Sequence, residues 1–212
     1  MVYVPYVKFN HPWINPLSAE THDILDPVEA ITGRLADLQP TYVRLNDRIS
    51  WKDLQPTAGA PINWSSLATV EAELRTLSNL GIKPVLVVDE YPAYALKEDA
   101  VFDYACGALS EAYFDDFAAF LVELVNRYKV PEFNVKDWEL GNEVDIDPSR
   151  LPYDGAYGCW GDISDEFYGG MHYGNMLKVV GQAIKTADPT ARVWHAGLLL
   201  GVPLTTDPSL GH

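Results

Sequence analysis

The stretch DWELGNE, residues 137–143, places several polar side chains at the end of a short apolar run. Glu139 and Glu143 lie four residues apart, and Asn142 directly precedes Glu143. A carboxyl group in a partly buried site can donate a proton as a general acid and take one back as a general base. The plainer alternative is that Asn142 and Glu143 only end the strand and cap the next segment. The surroundings of Glu143 therefore decide between chemistry and capping.

Polar side chains also follow the other apolar runs that the sequence predicts as strands. They are Asn10, His11 and Trp13 after the first run, Asn46, Asp47 and Arg48 after the second, Asp89, Glu90 and Tyr91 after the third, and His195 near the end of the fifth. The carboxyl ends of parallel strands meet at one edge of a sheet, where such folds build their sites. We therefore expect these side chains to gather around Glu143.

The elements that must position these residues alternate between strands and helices. Strands are predicted at about residues 4–9, 42–46, 84–89, 137–142 and 192–197, from short runs rich in β-branched and aromatic residues. Helical periodicity follows in the segments 26–40, 65–81, 108–129 and 173–189. Gly81 and Pro189 suit the ends of the second and fourth helices.

This alternation is typical of a parallel sheet covered by helices, for which two folds compete. A doubly wound sheet would be complete with five strands, whereas a (β/α)₈ barrel needs eight. No phosphate-binding glycine motif follows the first strand, so the usual cofactor argument for the doubly wound sheet is missing. We expect no cofactor.

Composition excludes several classes of function. The 212 residues carry a formal net charge of -15, which repels nucleic acid and anionic lipid. No apolar run reaches membrane-spanning length, and the first residues lack the pattern of a signal peptide. We expect a soluble chain of unknown location, secreted if it has been trimmed. Cys106 and Cys159 are too few for a metal knuckle, and one disulfide is allowed.

Four motifs in the same order carry a resemblance to a known superfamily. The segment 42–95 has an arginine on its first strand, a W…P…G…W loop, the entry GIKPV and the tripeptide PAY; WELGNE and AIKTADPTARVWHAG follow it. Together they resemble the clan A retaining glycoside hydrolases, the TIM-barrel superfamily of cellulases, xylosidases and arabinofuranosidases. The resemblance covers roughly residues 40 to 200. It implies a partial (β/α)₈ barrel of about five parallel strands with outer helices, and a single incomplete domain over residues 1–212.

The resemblance also implies roles for particular residues. Glu143 would be the catalytic acid/base, and Asn142 would bind the 2-hydroxyl of the sugar. Arg44 would orient the catalytic nucleophile, although a plain ion pair with Glu139 is about equally expected because an unpaired buried charge is costly. Since Glu139 and Glu143 have the same strand parity, both are expected to face the barrel interior.

Further substrate contacts are expected from polar and aromatic residues at the strand ends. They are Asn46, Trp13, Tyr91 and His195, within a wider aromatic set of Trp51, Tyr94, Tyr153, Tyr157 and Trp160. Any one of these aromatics more often packs a loop, and a lone strand histidine is more often a core residue. The acidic loop after Glu143 lacks the spacing of a calcium loop, so we expect no metal.

The sequence departs from the superfamily at one decisive place. Retaining hydrolysis needs a second carboxylate about 5 Å from the first, and in these enzymes it ends the seventh strand. The predicted strands stop at five, so we expect weak or absent hydrolysis of an oligo- or polysaccharide. The alternative is a non-catalytic carbohydrate-binding barrel fragment that self-assembles. Open sheet edges, with Val43, Leu45, Val85 and Val87 partly uncovered, predict a two-fold dimer.

Overall fold

A computed structural model of the chain describes residues 3–7, 35–45, 48–97, 107–147 and 159–199. Its strands are β1 (Tyr3–Val7), β2 (Tyr42–Leu45), β3 (Ile49–Ser50), β4 (Lys83–Asp89), β5 (Asp137–Leu140) and β6 (Arg192–His195). Its α-helices are α1 (Trp51–Leu54), α2 (Ala68–Asn79), α3 (Phe114–Tyr128) and α4 (Gly170–Ala187), and residues 35–38 are also helical. Short 3₁₀ turns span Trp64–Leu67, Ala93–Ala95 and Glu111–Tyr113.

The strands form one parallel sheet in the order β1-β2-β4-β5-β6, with β3 paired beside β4. The five predicted strands are therefore confirmed, in sequence order and all parallel. The two-residue strand β3 was not expected. It pairs Ile49 with Val88 and Ser50 with Asp89, so that the chain leaves β2 and returns to the sheet before α1 begins.

The register divides the strand residues between two faces of the sheet. Arg44 lies opposite Val85, and Val87 lies opposite Glu139, so these four side chains share one face. Because β4 lies between β2 and β5, Arg44 must cross β4 diagonally to reach Glu139. Val85 and Val87 of β4 lie on the face of the sheet that this crossing spans.

The opposite face of the sheet packs against the helices and forms the core. Val43, Leu86, Trp138 and Leu140 alternate with the polar face and are buried in one cluster with the apolar stripes of α2, α3 and α4. The stripe of α3 is the longest and includes Phe114, Phe117, Leu121, Leu124 and Tyr128, as its helical periodicity predicts. Each such side chain contributes roughly 1.5–3 kcal/mol on full burial.

The expectation that four strand valines and leucines would be partly uncovered is wrong. Val43, Leu45 and Val87 are fully buried, and Val85 is nearly so. Val43 and Leu45 alternate with Arg44 along β2, so they face the helices rather than the face of the sheet that carries Arg44 and Glu139. They do not contribute to an exposed apolar face.

The strand that carries the WELGNE motif ends earlier than expected. β5 stops at Leu140, and Gly141 has φ +93°, a conformation that favours glycine. Glu143 also lies in the left-handed region, with φ +49°. The parity argument that placed Glu139 and Glu143 on one face therefore fails, because the chain turns between them.

Some predicted site residues and one of the two cysteines lie outside the part of the chain that the structure describes. Asn10, His11, Trp13, Asn46 and Asp47 lie outside the described residues. Cys159 is disulfide-bonded, and Cys106, the other cysteine of the chain, lies outside the described residues. Among the residues that the structure describes, no helix is long and apolar enough to cross a membrane.

Candidate active site

A network of three side chains lies at the carboxyl end of the sheet. Arg44 of β2 donates from Nε to Oε2 of Glu139 at 2.6 Å and from Nη2 to Oε1 at 2.8 Å. The same Nη2 also donates to Oδ1 of Asn142 at 2.9 Å. The backbone N–H of Gly197 adds a longer bond, 3.2 Å, to Oε1 of Glu139. The ion pair expected between Arg44 and Glu139 is therefore present, in its strong bidentate form.

This network fixes the orientation of the Asn142 amide. Guanidinium groups only donate hydrogen bonds, so the atom of Asn142 that faces Arg44 must be its oxygen. The amide NH₂ group is consequently directed away from Arg44 and available to donate. Asn142 itself is half-buried, so a ligand can approach it.

Glu143 follows Asn142 in a turn where its own backbone adopts the left-handed conformation, with φ +49°. A non-glycine residue in the left-handed region costs of the order of 1–3 kcal/mol and often marks a functional site. Gly141 makes the turn possible, because a Cβ at this position would lie 2.8 Å from Cγ1 of Val144. Glu143 is half-buried, whereas Glu139 is buried. Of the two glutamates, Glu143 is the one that remains accessible.

A tyrosine on α4 holds the strand ends around this turn. The hydroxyl of Tyr173 donates to the carbonyl of Leu140 at 2.5 Å and accepts from the N–H of Ala196 at 2.9 Å. Burial raises the pKa of Tyr173 above its ordinary value, so the hydroxyl stays protonated and can donate. Gly141 donates its N–H to the carbonyl of Val88 and so continues the ladder towards β4. The turn is thus attached to β4, β6 and α4.

The polarity at the start of β5 has a separate explanation. Asp137 is fully buried and accepts two bonds from Arg192, each 2.5 Å, and one from Nε1 of Trp194 at 2.9 Å. Arg192 also lies over the ring of Tyr42, 5.7 Å from its centroid. This group lies at the amino ends of the strands, opposite the site edge. Asp137 therefore has a structural partner rather than a place in the site.

Asp89 is a second buried carboxylate at the site edge. It ends β4, is 1% exposed, and accepts a 3.0 Å bond from Nη1 of Arg48 on Oδ2. No described residue donates a hydrogen bond to Oδ1. Burial raises the pKa of Asp89 to about 6, against the opposing charge of Arg48. This residue therefore titrates close to neutral pH, unlike an exposed aspartate.

Two of the aromatic residues expected to line a cleft are core residues instead. Tyr91 is 1% exposed and packs edge-on against Phe117 and Trp160, with ring centroids 5.2 and 5.8 Å away. Burial, followed by the charge of Asp89, raises its pKa well above the ordinary value. Trp51 is equally buried, in the first turn of α1. Both expectations of substrate contact are corrected, because these rings fill the helix-facing core.

His195 lies on the other side of the sheet from the Arg44 network. In the register it pairs with Leu140, so it shares the helix-facing side, and its Nδ1 contacts the carbonyl of Ala196 at 2.6 Å. It is exposed and lines a cavity of about 710 Å³ together with Val144, Trp160, Phe167, Tyr173 and Leu198. His195 is therefore on the opposite face of the sheet from Glu139. Its expected contact with a substrate stays a prediction.

Two contributors to the site were missed in the sequence. Tyr173 lies on a predicted helix, and no local pattern indicates that a helical hydroxyl reaches two strands. Asp89 was noted only as one polar residue among several at a strand end, although its place directly after the buried run KPVLVV could have indicated burial. In the described ranges, no group of three or more His, Cys, Asp or Glu side chains is placed to hold a metal ion.

Comparisons with known proteins bear on the fold. No family model matches the chain, and no curated protein matches its sequence. Solved structures do match. A family 39 glycoside hydrolase from Bacteroides cellulosilyticus WH2 has a TM-score of 0.54 at 20% identity, over 84% of this chain and 31% of its own. The described part of the chain therefore has the fold of part of a TIM barrel.

Other matches to this glycoside hydrolase fold agree. A monomeric β-xylosidase from Caulobacter crescentus CB15 has a TM-score of 0.52 at 21% identity, over 89% of this chain and 35% of its own. A β-galactosidase from the psychrophilic Marinomonas ef1 has a TM-score of 0.57 at 14% identity, over 92% of this chain and 37% of its own. The chain spans about a third of the length of these three enzymes. The parallel sheet with outer helices is thus a partial barrel, and the doubly wound alternative is excluded.

Proposed function

We propose that the chain carries the acid/base half of a retaining glycoside hydrolase site, with Glu143 as the acid/base. The observation that carries this proposal is the difference between Glu139, on β5, and Glu143, in the turn that follows β5. Glu139 is buried and fully engaged by Arg44, whereas Glu143 is accessible in a strained turn beside Asn142. A left-handed backbone also occurs at Glu90 and Asn134. What favours catalysis over capping is therefore the accessible carboxyl of Glu143 next to Asn142, whose amide Arg44 orients.

Each residue of the network has a definite role in this proposal. Glu143 donates its proton to the glycosidic oxygen as the bond to the anomeric carbon breaks, and later accepts a proton from the attacking water. Asn142 donates from its NH₂ group to the 2-hydroxyl of the sugar, because Arg44 occupies its oxygen. Arg44 and Glu139 are positioning residues that hold Asn142 at the end of β5.

The second carboxylate of the retaining mechanism has to come from elsewhere. Glu139 is neutralised by Arg44, and Asp89 is buried beside Arg48, so neither fits the role of nucleophile. In the enzymes that the sequence resembles, the nucleophile ends the seventh strand. We therefore propose weak or no hydrolysis by these 212 residues alone.

The acid/base role is tested with a panel of phenyl β-glycosides, whose leaving oxygen must be protonated as the bond breaks. The chain should turn these substrates over far below the ordinary enzyme range of about 1–10³ per second. Any residual activity should be lost in Glu143→Gln and kept in Glu132→Gln, which removes a glutamate on the exposed surface outside the site. Ordinary turnover rates would contradict the missing nucleophile, and equal effects of both variants would contradict the role of Glu143.

Addition of an external nucleophile distinguishes an incomplete catalytic site from a site that only binds carbohydrate. Azide would attack the anomeric carbon from the face opposite the leaving group, the bond to the aryl oxygen would break, and Glu143 would supply the proton to that oxygen. With phenyl glycosides, whose leaving group needs the proton, we expect azide to accelerate release of phenol with formation of a glycosyl azide, and Glu143→Gln to abolish the acceleration. Binding of glycosides without any azide-dependent release would favour the carbohydrate-binding alternative.

The binding alternative, with self-association, has one observation in its favour. Apolar side chains are exposed around α4 and β6, namely Phe167, Met171, Trp194, Leu198 and Leu199. Exposed apolar surface of this kind marks interaction sites. We propose that it is covered by a second copy of the chain in a two-fold dimer.

We also propose an extracytoplasmic location. Cys159 is disulfide-bonded, and disulfides persist mainly in oxidising compartments. Labelling of free thiols in protein taken from its native source tests this proposal. Two reactive thiols per chain under denaturing, non-reducing conditions would contradict it.

A further inference from the structure

A separate cavity of about 400 Å³ lies between α3 and the loop that joins α1 to α2. One face of α3 supplies Asp116, Ala119, Phe120 and Glu123, whose spacing places them together on the helix surface. The loop side is formed by residues 58–62 with Gln55 and Trp64, and Tyr94 contributes from the 3₁₀ turn after β4. None of Arg44, Glu139, Asn142 and Glu143 lines this cavity, so it is distinct from the candidate active site.

The loop wall of this cavity is held by hydrogen bonds. Gln55 accepts from Nε1 of Trp51 at 2.9 Å and donates from Nε2 to the carbonyl of Ala60 at 2.5 Å. The N–H of Asn63 donates to the carbonyl of Leu54 at 2.9 Å, which closes the loop onto α1. The cavity is therefore preformed, and its volume lies within the range of small-molecule sites.

The lining combines aromatic rings with negative charge. Trp51 stacks on Phe120 with centroids 5.6 Å apart, and Tyr94 meets Trp51 edge-on at 6.1 Å. Cζ of Arg127 lies 4.7 Å from the centroid of the Trp64 ring, so one face of this ring is occupied and only the other is open to a ligand. Aromatic faces attract cations through their quadrupoles.

The charged side chains that the described residues contribute to the cavity are both acidic. Asp116 and Glu123 are exposed, and neither pairs with a cation among the described residues. No described lysine, arginine or histidine lines the cavity, although Arg127 lies over the ring of Trp64. Partial burial raises the pKa of Tyr94, and the charge of Asp116 adds to this effect, which places that carboxylate within electrostatic reach of the ring. Two carboxylates alone would be an ordinary solvated helix face, but here they border a preformed aromatic cavity.

We propose that this cavity binds the alkylated ammonium group of a small organic cation, of the choline type. Its methyl groups would contact the aromatic lining, and its charge would be balanced by Asp116 and Glu123. A primary ammonium is more strongly hydrated and loses more on entering such a site. A neutral sugar would gain nothing from the two carboxylate charges. The proposal is independent of the catalytic role of Glu143.

Choline and its neutral isostere 3,3-dimethylbutan-1-ol test the proposal on the intact 212-residue chain. Indole N–H chemical shifts are followed during each titration, with the Trp64 signal assigned from Trp64→Phe. Choline should shift the Trp64 signal with a Kd of roughly 1 mM or below, and raised salt should weaken its binding. The neutral isostere and lysine amide should bind at least about 5-fold more weakly, as the Coulomb and dehydration arguments require.

Variants on α3 separate the cavity from general charge effects. Asp116→Asn and Glu123→Gln should each weaken choline binding by roughly 3-fold or more, from loss of a nearby charge. Asp115→Asn removes the same charge one position away, at an exposed residue that does not line the cavity, and should leave binding unchanged. Equal binding of the isostere, tighter binding of lysine amide or of xylose, or an equal effect of Asp115→Asn would overturn the proposal. Absence of any choline-dependent shift would overturn it as well.

Discussion

At the scale of single residues, Arg44 contributes most to the geometry of the site. Its guanidinium engages both oxygens of Glu139 and the amide of Asn142, and all three residues are half-buried or buried. Removal of one partner from such a pair leaves an uncompensated charge, which costs much more than the intact pair contributes. Arg44 is therefore required for stability as well as for position.

The first prediction concerns this pair. Arg44→Met should lower the free energy of unfolding by about 3–5 kcal/mol, because Glu139 remains buried without its cation. The double variant Arg44→Met, Glu139→Gln should recover part of the loss. Urea unfolding of both single variants and the double variant gives the coupling energy. Additive effects, with no recovery in the double variant, would show that the two side chains act separately.

The second prediction concerns Asp89 and pH. Its pKa is raised from 3.8 to about 6, mainly by burial, so the folded chain binds this proton more tightly than the unfolded chain. Stability from this group is present below pH 4 and is lost as pH rises through about 6. The difference in pKa between the unfolded and folded chain corresponds to ~3 kcal/mol in the free energy of unfolding.

The measurement for Asp89 compares wild type with Asp89→Asn. The free energy of unfolding should fall between pH 4 and pH 7 in wild type relative to the variant, by up to ~3 kcal/mol. Other carboxylates titrate in both proteins and cancel in the difference. A pH-independent difference would mean that Arg48 already offsets the cost of burying the charge.

At the scale of elements, the strands were predictable and their ends were not. Alternation of Arg44 with Val43 and Leu45 allowed a buried charge on β2 and its partner on β5 to be inferred, because parity and the cost of unpaired charge are local rules. The same parity rule failed for Glu143, since Gly141 turns the chain one residue after the last ladder pair. Tyr173 was not predictable, because its partners lie on strands distant in sequence.

The third prediction tests Tyr173 as the link between α4 and the strand ends. Tyr173→Phe keeps the ring but leaves the carbonyl of Leu140 and the N–H of Ala196 without their buried partner, at a cost of about 1–3 kcal/mol. Denaturant unfolding measures the loss, and the Ala196 amide should exchange faster with solvent. Tyr113→Phe is the matched control, since the Tyr113 hydroxyl forms no hydrogen bond with any described residue. Equal effects of the two variants would contradict the link.

At the scale of the whole molecule, four sequence motifs that occur in the same order as in the superfamily were enough to predict the fold. They did not predict which apolar side chains are buried and which are exposed. The strand valines and leucines expected to be exposed are buried. Among the described residues, five exposed apolar side chains lie around α4 and β6, whereas Leu38, Leu80 and Val130 are exposed elsewhere. Phe167 and Leu198, in the region around α4 and β6, are 54% and 52% exposed. Any dimer should therefore form through this region.

The fourth prediction is that the chain forms a dimer that buries more than roughly 2,000 Å² in total. Phe167→Lys with Leu198→Lys should convert it to a monomer, because two charges would enter the apolar contact. Leu38→Lys, at a leucine that is 56% exposed on another part of the surface, should leave the dimer intact. Sedimentation velocity at several concentrations distinguishes these outcomes, and a wild-type monomer at all of them would exclude the dimer.

The diagonal crossing of Arg44 over β4 has a consequence for how this sequence can diverge. Strands two positions apart lie about 10 Å from each other, so the guanidinium reaches Glu139 only while the side chains beneath it stay short. Val85 and Val87 occupy that place. A larger residue at either position, such as Val87→Phe, would separate the pair without touching it. Positions 44, 85, 87 and 139 should therefore change together or not at all among descendants of this chain.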